Sequence, residues 1–178
     1  MPNFTVDGRM KGLPDIQRAF MFELLIPDIG DWIQDDMVVR CKTAVIPSRG
    51  NTPIESVFGG MKQYYAGQPL FTSTLTVEIE EHEDQKALQS LYDWQQKIYD
   101  VNPNSPRGGA QQGGGKADIT RDISLKMYKY NGDNMPKSVK FYNAFIENVD
   151  DAALGYATNE SVKYNVTFRF DYWLLEDR

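Results

Sequence analysis

Between Leu70 and Asp100 an alternating run of apolar and polar residues passes directly into a run spaced for a helix. Phe71, Leu75, Val77 and Ile79 share one side of an extended chain, with Thr72, Thr74, Thr76, Glu78 and Glu80 on the other. A two-residue period predicts a strand with one dry and one solvated face. From Ala87 the spacing changes. Leu88, Leu91, Tyr92, Gln95, Ile98 and Tyr99 recur at helical intervals, Ala87 and Trp94 widen the stripe, and Leu88, Leu91, Trp94 and Ile98 are the residues expected to bury it. Glu83 and Asp84 in the expected first turn and Lys97 near the last suit the helix dipole. Asn102-Pro103 then stops the helix, because proline cannot continue the backbone ladder.

The rest of the pattern reads as sheet around this unit. Arg18 to Ile26 predicts a first strand, with Phe20, Phe22 and Leu24 on one side and a nearly apolar second side interrupted by Glu23. A turn-rich connection holding Gly30 and Trp32 leads to a strand over Met37 to Val45. Ile119 to Tyr130 and Val139 to Val149 are further strands, the second with an apolar phase slip that predicts a bulge near Asn143. The turn Asn131 to Asn134 separates them, and an acidic connection from Asp150 to Glu160 follows. In the last strand Val162, Tyr164, Val166, Phe168, Phe170 and Tyr172 alternate with polar residues, and Trp173-Leu174-Leu175 ends it. Six or seven strands and one helix predict a mainly β (α+β) domain, an antiparallel sandwich or barrel with one flanking helix.

One segment does not fit a private core. Ile54, Glu55, Ser56, Val57 and Phe58, then Gly59-Gly60, then Met61, Lys62, Gln63, Tyr64 and Tyr65 read as a hairpin, since a Gly-Gly connection suits the primed turns that match strand twist. Both of its arms mix polar and apolar residues. A two-stranded ribbon is poorly stable alone and its edges invite pairing from outside.

Length and charge narrow the class. A chain of 178 residues reads as one domain with a real core, residues 1–17 forming an arm and the glycine-rich stretch 102–118 a flexible loop. The formal charge of −6 argues against a sequence-specific DNA reader, which would show a basic face. A single cysteine, Cys41, excludes an internal disulfide framework, and its place in mid-strand reads as a small buried hydrophobe. No apolar run reaches the ~20 residues of a membrane helix. The first residues lack signal-peptide character, so cytoplasmic synthesis is the expectation.

Catalytic constellations are sparse. His82 is the single histidine, placed among Glu80, Glu81, Glu83 and Asp84, where a solvated strand end accounts for it. One His and one Cys do not make a zinc site, and the carboxylates from Glu78 to Asp84 lack calcium-loop spacing. Gly115-Lys116 fails as a phosphate loop: Ala110 occupies the required first glycine and Ala117 the required Ser or Thr. No catalytic, metal or cofactor site is expected.

Three stretches carry a resemblance. Arg40-Cys41-Lys42-Thr43-Ala44-Val45-Ile46-Pro47, then Leu91-Tyr92-Asp93-Trp94-Gln95, then Phe168-Arg169-Phe170-Asp171-Tyr172-Trp173 resemble, in order and spacing, the tail tube protein of contractile-tailed bacteriophages of the T-even type. The resemblance spans about Ala19 to Leu175 and implies subunits that close into hexameric rings and stack into a hollow tube. It also implies that the Ile54 to Tyr65 hairpin joins an inter-subunit barrel around the lumen, with Glu55 and Gln63 as lining residues and Lys62 as a lone cation among them. The implied partners are the tail sheath, the tape measure protein, baseplate and tail-terminator proteins, and double-stranded DNA in transit without sequence specificity. The implied location is the virion tail. An acidic lumen would repel phosphate and release no counterions, so DNA would slide through it. Two alternatives stand beside this reading: a tube protein of a type VI or other contractile injection system, or a baseplate tube initiator, and, from another class, a monomeric α+β binding module or enzyme. The last would show a core face on every strand and a concave polar site.

Overall fold

A computed structural model describes residues 17–27, 40–102, 104, 115–129, 133, 137–152, 154–155 and 160–177. Outside them lie the expected arm up to residue 16, the connection with Gly30 and Trp32, the start of the strand expected at Met37, most of the glycine-rich stretch, most of the turn after Tyr130 and part of the acidic connection. In chain order the elements are β1 (Phe22–Leu25), β2 (Cys41–Ala44), β3 (Arg49–Phe58), β4 (Met61–Phe71), β5 (Thr74–Glu80), α1 (Lys86–Ile98), α2 (Lys116–Ile119), β6 (Arg121–Met127), β7 (Lys137–Val149), β8 (Lys163–Arg169) and β9 (Tyr172–Asp177). The architecture is mainly β with antiparallel sheets and little helix, as the pattern predicts.

Strand β7 organises the domain because it serves two sheets. One runs β1-β6-β7-β9 and the other β2-β5-β8-β7. The changeover lies at Asn143, which takes a left-handed φ of 54°. Asn is one of the few residues that tolerate this region. The register against β6 slips here, Arg121 pairing with Ala144 but Ile123 with Phe141, so the bulge expected near Asn143 is present. Beyond it, β7 bends away from β9 and continues against β8.

The core fills the space between the sheets. Leu24, Ile123, Leu125, Val139 and Phe141 come from one sheet, and Leu75, Val77, Ile79, Ile146, Val166 and Phe168 from the other. Helix α1 adds Ala87, Leu91 and Trp94, the last with its ring centroid 5.6 Å from that of Phe168. The Trp94 indole N–H donates to the Ile119 carbonyl at 2.9 Å, which gives the polar end of a buried tryptophan its partner. Ile98 packs at the margin of this cluster. Leu88, placed by its spacing on the buried stripe, is 44% exposed. Leu91→Ala is therefore expected to cost about 2–5 kcal/mol in urea unfolding; a cost under about 0.5 kcal/mol, the scale of a surface change, would show that α1 does not pack as described.

Three boundaries differ from the sequence pattern. Phe71 does not share the core face of Leu75, because the chain breaks at Thr72-Ser73 and Phe71, 52% exposed, ends the preceding ribbon. The closing strand divides into β8 and β9 at Phe170-Asp171. There Asp171 accepts from Lys116 Nζ and from Asn143 Nδ2, tying the break to the bulge opposite it. The Lys116 ammonium, then the Asn143 amide, hold the Asp171 carboxyl below the usual aspartate range. Lastly, the stretch expected as loop up to residue 118 closes with α2, where Asp118 accepts from the Gly115 N–H at 3.0 Å.

The helix also starts later than its acidic residues suggest. Gln85, at the N-cap, has a left-handed φ of 52° and makes no side-chain cap. Glu81 supplies the missing acceptors from outside the helix, taking the Ala87 N–H at 3.3 Å and the Leu88 N–H at 2.7 Å. Arg40, buried beneath it, donates to Glu81 at 3.2 Å and to Asp84 at 2.6 Å.

Candidate functional site: the exposed hairpin

The ribbon β3–β4 is a separate two-stranded sheet, longer than the Ile54 to Tyr65 segment legible in the sequence. Its turn is Gly59-Gly60, with φ of 59° and 78°. Two successive positive φ values define the primed turn that glycine adopts without strain. Phe58 pairs with Met61, Val57 with Lys62, Ser56 with Gln63, Glu55 with Tyr64 and Ile54 with Tyr65. A register slip lies between Asn51/Pro69 and Pro53/Ala66. Gly67 sits in it, and a Cβ there would meet the Thr52 carbonyl oxygen at 2.4 Å. The ribbon thus needs glycine at Gly67 for close approach of its own two strands.

Cross-strand partners share a face, so the register sorts the side chains. Ile54, Ser56, Phe58, Met61, Gln63 and Tyr65 occupy one face; Glu55, Val57, Lys62 and Tyr64 occupy the other. Glu55 and Gln63, which were expected to line one surface together, therefore point to opposite sides. Lys62 is paired, its ammonium lying 2.7 Å from the Glu55 carboxylate. On the opposite face the Tyr65 hydroxyl donates to Gln63 Oε1 at 2.9 Å. One face is charge-paired, the other mostly apolar.

Every residue from Arg49 to Phe71 is exposed except half-buried Gly67. Ile54, Val57, Phe58, Met61, Tyr64, Tyr65, Leu70 and Phe71 each expose more than half of their surface. A contiguous apolar patch of this kind marks an interaction surface. Both outer edges of the ribbon leave backbone groups without a ladder partner among the described residues.

The foot of the ribbon rests on β9. The Arg49 guanidinium lies 4.0 Å over the Trp173 ring and donates to the Trp173 carbonyl. A groove of about 370 Å³ opens beside it, lined by Arg49, Gly50, Asn51, Pro69, Leu70, Phe71, Tyr172 and Trp173. Sequence reasoning missed this groove, since nothing in the spacing of Arg49 and Trp173 announces that they meet.

No chemistry is assembled elsewhere among the described residues. His82 is exposed beside Glu81, and among the described residues no group of three or more His, Cys, Asp or Glu could hold a metal ion. Among the described residues no helix is long and apolar enough to cross a membrane. Cys41 is half-buried in β2, where burial, then the Glu78 charge, pushes its thiol up to about 12. Since the thiolate is the nucleophile, Cys41 should resist a disulfide-exchange reagent at pH 8 in the folded protein and react once urea unfolds it. Equal rates in both states would remove Cys41 from this environment.

Comparison with known proteins bears on the chain as a whole. The family model for phage tail tube proteins matches residues 4–176. No curated protein matches the sequence significantly. Among solved structures, a chain of the PVC sheath-tube complex of an extracellular contractile injection system, in its extended state, superposes with a TM-score of 0.62 at 14% identity, covering 99% of this chain and 100% of the other. A chain of the anti-feeding prophage tube-terminating cap gives 0.62 at 16% identity, covering 94% and 95%. The SPP1 tail tube gives 0.54 at 11% identity, covering 92% and 80%. At these identities the likeness is one of fold.

Proposed function

From the premise that the chain belongs to the phage tail tube protein family, and is thus a structural protein rather than an enzyme, we propose that it is the repeating unit of a hollow tail tube. Six copies close a ring by joining their β3–β4 ribbons edge to edge into an inner barrel, and the rings stack. The observation that carries this is the ribbon itself: two strands, exposed at every position but half-buried Gly67, whose backbone ladder joins them to each other and to no other strand among the described residues. Ring closure gives each free edge a partner, which is how a barrel removes its edges.

The face sorting supports one choice of the side that meets the lumen. The charge-paired face of Glu55, Val57, Lys62 and Tyr64 is the wetter one and lines the channel, while the face of Ile54, Phe58, Met61 and Tyr65 packs against protein. Glu55 and Lys62 neutralise each other, so on this face it is the balance of charge, not an acidic excess, that denies DNA a net counterion-release affinity. The chain in this reading conducts double-stranded DNA during ejection, encloses a tape measure protein while assembling, and meets sheath, baseplate and terminator proteins along the virion tail. The similarity to chains of a sheath-tube complex, a terminator, a cap and a baseplate supports the last three.

The second reading, a tube of a contractile injection system, is favoured by the two similar chains that come from an extracellular contractile injection system. Both readings require rings. Native mass spectrometry of the purified protein should show a hexamer, and negative-stain microscopy should show tubes with a central channel. A protein that stays monomeric at every concentration would overturn both.

A further inference from the structure

The turn fixes which backbone groups of the ribbon are already bonded. In a two-residue hairpin the flanking pair, here Phe58 and Met61, exchanges both backbone hydrogen bonds, and bonded pairs then alternate with pairs whose N–H and C=O turn outward. Ser56/Gln63 and Ile54/Tyr65 therefore hold the ribbon together. Val57/Lys62, Glu55/Tyr64 and Pro53/Ala66 point their backbone groups away from it. The prolines agree with this count. Pro53 has no N–H to give and falls at an outward position, and Pro69, opposite Asn51 beyond the register slip, lacks one as well. Between the prolines and the turn, Glu55 and Val57 are the outward donors of the β3 edge, and Lys62, Tyr64 and Ala66 those of the β4 edge.

The two edges also carry opposite charge, Glu55 on β3 and Lys62 on β4, on one face of the ribbon. Even when paired with each other these side chains stay 40% and 60% exposed, which leaves each room for a second partner. Opposite charges facing across a ladder stabilise it, and like charges destabilise it. Two β3 edges brought together would set Glu55 against Glu55, and two β4 edges Lys62 against Lys62. Pairing β3 with β4 of a second copy sets Glu55 against Lys62 instead. That contact uses a different edge on each partner, and such a heterologous contact repeats from copy to copy, closing a ring where the rotation allows.

We infer that β3 of one copy pairs antiparallel with β4 of the next, with Glu55 directly opposite the neighbouring copy's Lys62; this register rests on the ring reading above. Strands in a closed barrel tilt, and the tilt requires a stagger in register. Inside the ribbon the turn fixes the register, so the stagger arises between copies. It comes in steps of two residues, because a step of one would turn one copy's charged face to the other side of the wall. In the unstaggered register Glu55 would meet the neighbour's Tyr64, as it meets its own within the ribbon. One step along β4 toward the turn brings Lys62 opposite Glu55, and one step toward the foot brings Ala66. The charges select Lys62. Each Glu55 then lies between the Lys62 of its own copy and that of the next, in a belt of alternating charge around the ring.

The test uses the full-length chain and separates contact between copies from contact within one. Glu55→Lys and Lys62→Glu each place like charges both within the ribbon and across the contact between copies, so neither protein alone should form rings at concentrations where wild type does. Mixed in equal amounts, one of them isotope-labelled, they should form rings that hold equal numbers of both by native mass spectrometry. Rescue of this kind can come only from contact between copies, because the pair within each copy stays mismatched. Wild-type protein that makes no rings overturns the ring reading and this register with it. Wild-type rings alongside normal rings of either variant alone overturn the register only. So does a mixture that stays unassembled; rings of the double variant Glu55→Lys, Lys62→Glu in that case would show that the charges act within one copy. Circular dichroism reports whether each variant folds. Should either fail, Glu55→Cys and Lys62→Cys proteins, both in a Cys41→Ala background, decide: mixed and oxidised, they should be joined by a disulfide, and its absence refutes the register.

Discussion

Removing Ser56 to Gln63 and joining Glu55 to Tyr64 through an Asn-Gly turn is expected to leave a folded, soluble subunit that forms neither rings nor tubes. The folded state survives because no residue of the ribbon belongs to the buried core. Glu55 and Tyr64 are cross-strand partners, so their Cα atoms are about 4.5–5.5 Å apart and a two-residue turn bridges them in register. Assembly fails because each edge loses its last three residues, and with them go the exposed Val57, Phe58 and Met61. Circular dichroism and a urea transition report the fold; native mass spectrometry and microscopy report assembly. If the deletion unfolds the subunit, the ribbon is part of the core. If normal tubes form, ring closure lies elsewhere and the lumen assignment of Glu55, Lys62 and Tyr64 goes with it.

The fold was legible where burial writes a period into the sequence. In β5, Leu75, Val77 and Ile79 are buried and the intervening Thr and Glu residues are not, so alternation alone identifies the strand. The Asn143 bulge was visible as a phase slip for the same reason. The limits of the ribbon were not, because neither face is buried within one chain and no period is imposed on Arg49 to Phe71. Phe71 fits the phase of Leu75 by coincidence, and the break at Thr72-Ser73 has no Gly, Pro, Asn or Asp to announce it. The split between β8 and β9 did leave a trace. Buried positions run Val166, Phe168 and Phe170, then jump to Trp173, and Tyr172, which alternation assigned to the core face, is 46% exposed.

The candidate surface shows the same division. A two-residue turn at Gly59-Gly60 already implies that Glu55 faces Tyr64 and Gln63 faces Ser56, so their placement on opposite faces follows from counting back along both arms. What no local pattern contains is a contact between distant segments. Arg49 meets Trp173, and Arg40 meets Glu81, only because the sheets bring them together. The acidic residues around His82 were read as a solvated edge; Glu81 is instead nearly buried and holds the helix start.

Arg40→Met should cost about 3 kcal/mol of stability, a large share of the roughly 5–15 kcal/mol of a typical domain. The side chains of Arg40 and Glu81 are 7% and 8% exposed, and stripping one partner from a buried ion pair costs about 3–5 kcal/mol because the other charge stays in the interior. The lower end applies here, since Glu81 keeps the N–H groups of His82, Ala87 and Leu88 and the positive end of the α1 dipole. Glu81→Gln in the same chain should recover part of the loss by removing the stranded charge. The pH dependence has a defined sign. Arg40, through its hydrogen bond, holds the Asp84 carboxyl below its ordinary value, so that contribution is complete above the unfolded aspartate range, about 3.9, and is lost as pH falls through the lower folded value. The gap between wild type and Arg40→Met should accordingly narrow below about pH 4. Urea unfolding at protein concentrations too low for assembly measures both effects. A deficit under about 1 kcal/mol, the ceiling for an exposed pair, or one that does not change in acid, would mean that α1 is anchored by its packing on Phe168 and not by the Arg40–Glu81–Asp84 cluster.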